Sequence, residues 1–308
     1  MSTTAMTISP EDNRTLLDAV AAAFDASRTD DERRLFEAKR EVVLALGSHP
    51  VLVAADDGLP HSEPGPAGRV MLAFSDNEAA AAWTQSRHPA AAPVELVSSA
   101  ELAKGEANRK QWLQWLARRG ARTVALNPAG PLGSVVHADE LRTLRPRLLR
   151  RGIVISAEHP WLDLGAREAE RARAGRLMQS LAAAIEHGDD AAFAEVEPQL
   201  ATINEIGSLL WASELQFLSG RHKLAQGNAK DGLYQMIYGS FGWGRFGDAY
   251  RCIDGLLDAG GRLLTRDDAE GTWRRSYLDE LTGVLENMDV GYRSSDVARL
   301  LAAARERR

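Results

Sequence analysis

Adjacent carboxylates at Asp56 and Asp57 stand where an apolar run ends, a place where α/β domains often hold chemistry. Alone they make a poor metal site, because a hard cation needs further oxygen ligands at matched geometry. The seven histidines, at 49, 61, 88, 137, 159, 187 and 222, form no His-x-x-x-His or Glu-plus-His pattern. Cys252 is the single cysteine, so neither a disulfide within the chain nor a cysteine-ligated metal is expected. It lies between Tyr250 and Ile253 on an apolar helical stripe, which reads as a buried, inert thiol. No Gly-x-Ser-x-Gly elbow and no Gly-Lys-Ser/Thr phosphate loop is present. The sequence thus assembles no nucleophile, metal set or cofactor motif, and none is expected. The enzymatic alternative is that Asp56 or Asp57 converges with His137 and Asn127 from distant segments.

Two segments have the composition of recognition surfaces. Asn127-Pro128-Ala129-Gly130-Pro131-Leu132-Gly133 is a stiff loop, because each proline disfavours the α conformation of the residue before it. Its glycines allow positive φ or a partner's close approach. Read as a plain turn, it holds a sheet edge, and turn chemistry alone explains every residue. Gly239 to Gly247 alternates glycines with Phe241, Trp243 and Phe246. Exposed, these rings are contact area of the kind found at interfaces; buried, they are core and the glycines break a helix. The candidate partner-binding residues are therefore Phe241, Trp243, Phe246, Asn127, Pro128 and Gly130.

The bulk properties narrow the classes. The 308 residues suffice for about two domains. With 44% hydrophobic and 26% charged residues, the chain can bury a core. A net charge of −6 argues against nucleic acid as the partner, since phosphate binding requires a basic surface. Arg145, Arg147, Arg150 and Arg151 form only a local basic cluster. No run reaches the length of a membrane span, and Met1 to Arg14 shows no apolar core of a secretory signal. A cytoplasmic location is the natural reading of the cysteine usage.

The elements that must position these residues change character midway. Residues 1–14 read as a tail. Leu16, Leu17, Val20 and Phe24 mark one helix, and a second at about 30–46 is opened by Thr29 and Glu32 at capping-box spacing and closed by Gly47. Strands are expected at 51–55, 69–74, 93–97 and 122–126, with brief ones at 135–136 and 152–155, and a loop at 58–68. Ser75 with Glu78, and Ser98 with Glu101, cap the intervening helices; the latter helix runs to Gly120. A helix at 139–150 is kinked or split at Pro146. After His159-Pro160-Trp161 only helical stripes remain. They are expected over Leu177–Ile185, from Thr202 to Gly220, at 229–238, over Phe246–Leu257 up to Gly260-Gly261, over Leu278–Met288 and from Val297 on. No internal repeat is evident. The chain is expected to hold an α/β (or α+β) layered domain at 15–156, a linker at 157–165 and an all-α helical bundle at 166–308.

Val51-Leu52-Val53 with Asp56-Asp57, Val70 to Asp76 leading to Glu78 and Trp83, the Val124–Gly133 loop, and Ala138-Asp139-Glu140-Leu141 with His137 at the cap position stand in order. In these the chain resembles the N-terminal domain of the SseB family, over about residues 48–150, with the two N-terminal helices standing outside that segment. The resemblance implies a layered domain and carries no catalytic residues. Its name associates it with type III secretion and enhanced serine sensitivity. The leading expectation is a non-enzymatic, cytoplasmic binding or regulatory protein with a protein partner. The alternatives are a secretion-associated component and an enzyme of unrecognised class.

Overall fold

The computed structural model describes residues 7–27, 29–130, 132–146, 153–154, 164–206, 209–266, 272–288 and 291–307. Two compact units divide the chain. The first takes the residues up to Arg171 except Pro64–Pro66, with Glu205–Leu209; the second takes Ala172 onward except that segment, with Pro64–Pro66. The expected linker falls largely on residues outside those described, as do Arg147, Arg150, Arg151 and the His159-Pro160-Trp161 turn.

The first unit opens with helices α1 (Arg14–Ser27) and α2 (Glu32–Leu46). The cap of α2 is Asp31, not Thr29: Asp31 Oδ1 accepts from Arg34 N at 3.0 Å. Thr29 instead donates its hydroxyl to Ala26 O at 2.8 Å and closes α1. Ahead of α1, in the stretch read as a tail, Ile8 and Asn13 are buried. Ile8 N donates to Asn77 Oδ1 at 2.6 Å, and Asn13 Nδ2 donates to Pro50 O at 2.7 Å.

Strands β1 (Leu52–Asp56), β2 (Leu59–Pro60), β3 (Ser62–Glu63) and β4 (Arg69–Phe74) follow, so the expected 58–68 loop carries two short strands. Asp57 and Gly58 turn the chain between β1 and β2 with φ of 51° and 70°, the positive pair that suits a two-residue hairpin. Helix α3 (Asn77–Ser86) is capped by Asp76, one residue past the expected Ser75. After β5 (Glu95–Ser98), the expected single helix is two, α4 (Ser99–Ala103) and α5 (Arg109–Arg119). The break has a backbone cause: Lys104 takes φ 54° and Gly105 φ 154°, and Asn108 restarts the helix by accepting from Lys110 N and Gln111 N.

Strands β6 (Ala121–Leu126) and β7 (Gly133–His137), helix α6 (Ala138–Thr143) and strand β8 (Ile153–Val154) complete the unit. Helix α6 ends at Leu144, φ 53°, ahead of Pro146, and residues 147–150 of the expected helix lie outside those described. The strands form one mixed sheet in the order β2-β1-β4-β6-β7-β8, with β3 on β4 and β5 on β1. Strands β4 and β6 are parallel, pairing Ala73 with Leu126, so both end on the same side. The core gathers Leu16, Val20, Val43, Val53, Met71, Trp112, Trp115, Val124 and Val136.

The rest is helical among the described residues: α7 (Leu164–His187), α8 (Asp190–Ile206), α9 (Leu209–Ala225), α10 (Ala229–Arg245), α11 (Ala249–Thr265), α12 (Thr272–Asn287) and α13 (Ser294–Glu306). Thr202 falls in the last turns of α8, not at a helix start. Helix α10 runs on through the Gly-aromatic segment, and α11 runs on through Gly260-Gly261. The second unit's cluster of Leu181, Ala184, Phe193, Leu200 and Leu218 ties α7, α8 and α9 together. A mixed sheet-and-helix unit thus precedes an all-helical one.

Candidate functional site

The second unit holds a cleft of about 550 Å³. Helix α9 contributes Trp211, Glu214 and Phe217, at a spacing of three that puts them along one face. Helix α11 contributes Arg251, Asp254, Gly255 and Asp258, again one face. Trp243 of α10 and Gly175 and Met178 of α7 complete the lining.

Packing builds the aromatic wall. The rings of Phe217 and Trp243 lie 5.0 Å apart at 43°. Gly255 lets them close on α11, because a Cβ there would stand 3.0 Å from Trp243 Cζ3 and 3.1 Å from Phe217 Cε2. Trp243 is 4% exposed, and its Nε1 is buried without a hydrogen-bond partner in the structure.

The charged wall is cross-linked. Arg251 Nη1 reaches Glu214 Oε2 at 3.3 Å and its Nε reaches Asp248 Oδ2 at 3.4 Å. Asp254 accepts from Tyr292 OH at 3.0 Å and from Arg293 Nη1 at 2.9 Å. Asp258 accepts from Arg262 Nε at 2.7 Å. Burial pushes the Glu214 carboxyl above its ordinary range; Arg251 opposes that shift and Asp248 adds to it. The lining therefore offers three carboxylates, one guanidinium and three aromatic side chains.

Of the residues proposed from the sequence, Trp243 stands in this wall. Phe241 and Phe246 are buried, at 4% and 6% exposure. From Gly239 to Arg245 the Gly-aromatic stretch is helix, because its glycines admit neighbouring helices; the break comes after it, at the cap Phe246 and at Gly247 with φ 91°. A Cβ on Gly239 would meet Phe217 N at 2.8 Å and Ser213 O at 2.9 Å.

The other proposed residues lie in the first unit, at the shared end of β4 and β6. Asn127, Pro128 and Gly130 are all buried. Asn127 takes φ 48°, a left-handed conformation asparagine tolerates. Its Oδ1 accepts from Ser75 N, and its Nδ2 donates to Ser75 Oγ and Leu132 O, each at 2.8 Å. Ser75 Oγ passes the chain on to Asp76 Oδ2 at 2.6 Å, and Asp76 Oδ1 caps α3 at Glu78 N and Ala79 N. Gly130 N closes a turn onto Asn127 O at 3.0 Å. Pro131 lies outside the described residues.

Asp56, His137 and Asn127 are not brought together. His137 pairs with Thr123 near the start of β6, whereas Asn127 follows the end of that strand. Asp56 sits at the β1–β2 hairpin, engaged by Arg119 Nη1 at 3.7 Å and His61 Nδ1 at 4.0 Å. Burial pushes the Cys252 thiol far up, and it donates to Met288 Sδ at 3.5 Å. No group of three potential metal ligands occurs among the described residues.

The cleft went unforeseen. Arg251, Asp254 and Asp258 recur at three and seven residues on α11, and that spacing was the one signal available. Trp211 and Glu214 belong to a helix the sequence did mark.

Among curated proteins and among solved structures nothing matches the chain. A family model does match, and its span takes in α2 and most of α1, the helices ahead of the resemblance over residues 48–150. Residues 17–143 match the model of the SseB protein N-terminal domain, so the sheet-bearing segment of the first unit is SseB-like over that span.

Proposed function

We propose that the chain is a non-enzymatic, cytoplasmic binding protein, whose helical unit receives a segment of a protein partner. One observation carries the reading: a cleft of about 550 Å³ walled by Trp211, Phe217 and Trp243. Aromatic residues of this kind dominate the anchoring pockets of protein interfaces. The volume falls in the range of specific pockets. Of the residues proposed from the sequence, Trp243 lines the cleft, while Phe241 and Phe246 are buried in the same unit and Asn127, Pro128 and Gly130 are buried at the end of the SseB-like sheet. A net charge of −6 and a carboxylate-bearing cleft favour a protein over a nucleic acid. No helix among the described residues is long and apolar enough to cross a membrane.

The test is site-specific photo-crosslinking in the full-length chain inside cells. A photo-reactive side chain at Trp211 or Asp258 is expected to capture one discrete protein species in the cytosolic fraction. The same group at Glu41 of α2 is the control and captures none of it. Cleft positions that crosslink no more than Glu41 would overturn the proposal.

A further inference from the structure

We infer that the cleft receives a basic side chain, an arginine or lysine of the partner segment, laid against the aromatic wall with its charge toward Glu214 and Asp258. The inference rests on the binding reading above and names the chemistry of what is bound.

Four observations converge on it. The lining sets three carboxylates against one guanidinium, Arg262 and Arg293 from outside it engaging Asp258 and Asp254. Trp211, Phe217 and Trp243 line the cleft, and an aromatic ring attracts a cation over its face most strongly where water is excluded. The cleft already holds a guanidinium between carboxylates: Arg251 spans Glu214 and Asp248 at 3.3 Å and 3.4 Å. A guest cation that engages Glu214 leaves Arg251 on Asp248, so neither cation is stranded. Finally, burial makes ionised Glu214 costly, and a second cation beside it relieves that cost. An acidic segment would meet three carboxylates, which repel it.

The probes for calorimetric titration of the full chain are a nine-residue peptide of Ala, Leu and Arg, the same peptide with each Arg replaced by Glu, and spermidine. The Arg peptide is expected to bind, more weakly as salt is raised, and the Glu peptide not to bind. Glu214→Gln with Asp258→Asn is expected to weaken the Arg peptide about tenfold, as for the loss of charge-assisted contacts. Asp18→Asn with Glu37→Gln removes the same charge from exposed sites of the first unit and is expected to change nothing. Asp258→Asn alone, at a position 36% exposed, gives a smaller loss in the same direction and guards against misfolding of the double variant.

Equal loss in the control variant, or no binding of the Arg peptide to the native chain, overturns the inference. Spermidine binding as tightly as the peptide overturns a peptide source. A partner that crosslinks in the cleft while the Glu peptide outcompetes the Arg peptide overturns this inference and leaves the binding reading standing.

Discussion

Lys39 Nζ lies 3.6 Å from Glu140 Oε1, and both side chains are shut off from solvent, at 1% and 0% exposure. Glu140 Oε2 also accepts from His137 N at 2.6 Å, so one carboxylate serves helix α2 and the start of α6 together. Burial lowers the Lys39 pKa, and Glu140 opposes the shift. A buried pair contributes little net stability over a well-packed apolar pair, but losing one partner strands a charge in the core. Lys39→Met is therefore expected to cost about 3–5 kcal/mol in urea unfolding. Lys39→Met with Glu140→Gln should recover most of that, because glutamine still accepts from His137 N. A single variant as stable as the native chain would show that the pair is open to water.

Asn127 is expected to matter through its side chain more than through its left-handed backbone. Asn127→Ala leaves the buried Ser75 N without its acceptor and removes both amide donations. The expected loss is about 2–4 kcal/mol. Asn127→Gly keeps the backbone conformation and should recover only about 1 kcal/mol of it. If glycine restores full stability, the hydrogen-bond chain from Asn127 to the α3 cap contributes nothing.

The strands and most helix ends were legible because their signals are local. Short β-branched runs lie between glycines and prolines, and polar caps stand beside them. Those caps were off by one or two residues where two candidates compete, as Thr29 and Asp31 do. Helix α8 was missed because Pro198 lies inside it. The continuation of α10 was missed because glycine disfavours an isolated helix by about 1 kcal/mol per residue. What offsets that cost is contact with α9, visible only in three dimensions. The Asn127 loop was legible as a turn, but its bonds to Ser75 span 52 residues. The cleft draws on four helices, and Arg251, Asp254 and Asp258 alone look like a solvated face.

Glu214 links the cleft to pH. Its carboxyl is pushed above its ordinary value of 4.5, first by burial. Between that value and the raised one, the native chain holds a proton that the unfolded chain has released. Stability contributed by this group is therefore present at the acid end and lost as pH rises. Glu214→Gln cannot titrate, so its stability relative to the native chain should improve as pH climbs from about 4 to 7. Parallel urea titrations across that range measure it. A gap that stays constant, or that narrows in the native chain's favour, means that Arg251 outweighs burial at this site.

Two helical glycines, Gly239 and Gly261, should respond in opposite directions to the same substitution. A Cβ at Gly239 would stand 2.8 Å from Phe217 N and 2.9 Å from Ser213 O. Both are backbone atoms, which cannot swing aside as a flexible side chain can. Gly239→Ala must push α9 and α10 apart, and overpacking of this kind costs about 1–3 kcal/mol. Gly261 lies within α11 and a Cβ there meets nothing within 4 Å. Gly261→Ala should stabilise the chain by about 0.5–1 kcal/mol, by restricting the unfolded state and improving helix propensity. Because the two substitutions add the same methyl group to the same kind of element, the sign of the difference reports helix contact alone. A stabilising Gly239→Ala would mean that α9 does not press on α10, and the aromatic wall of the cleft would lose its support.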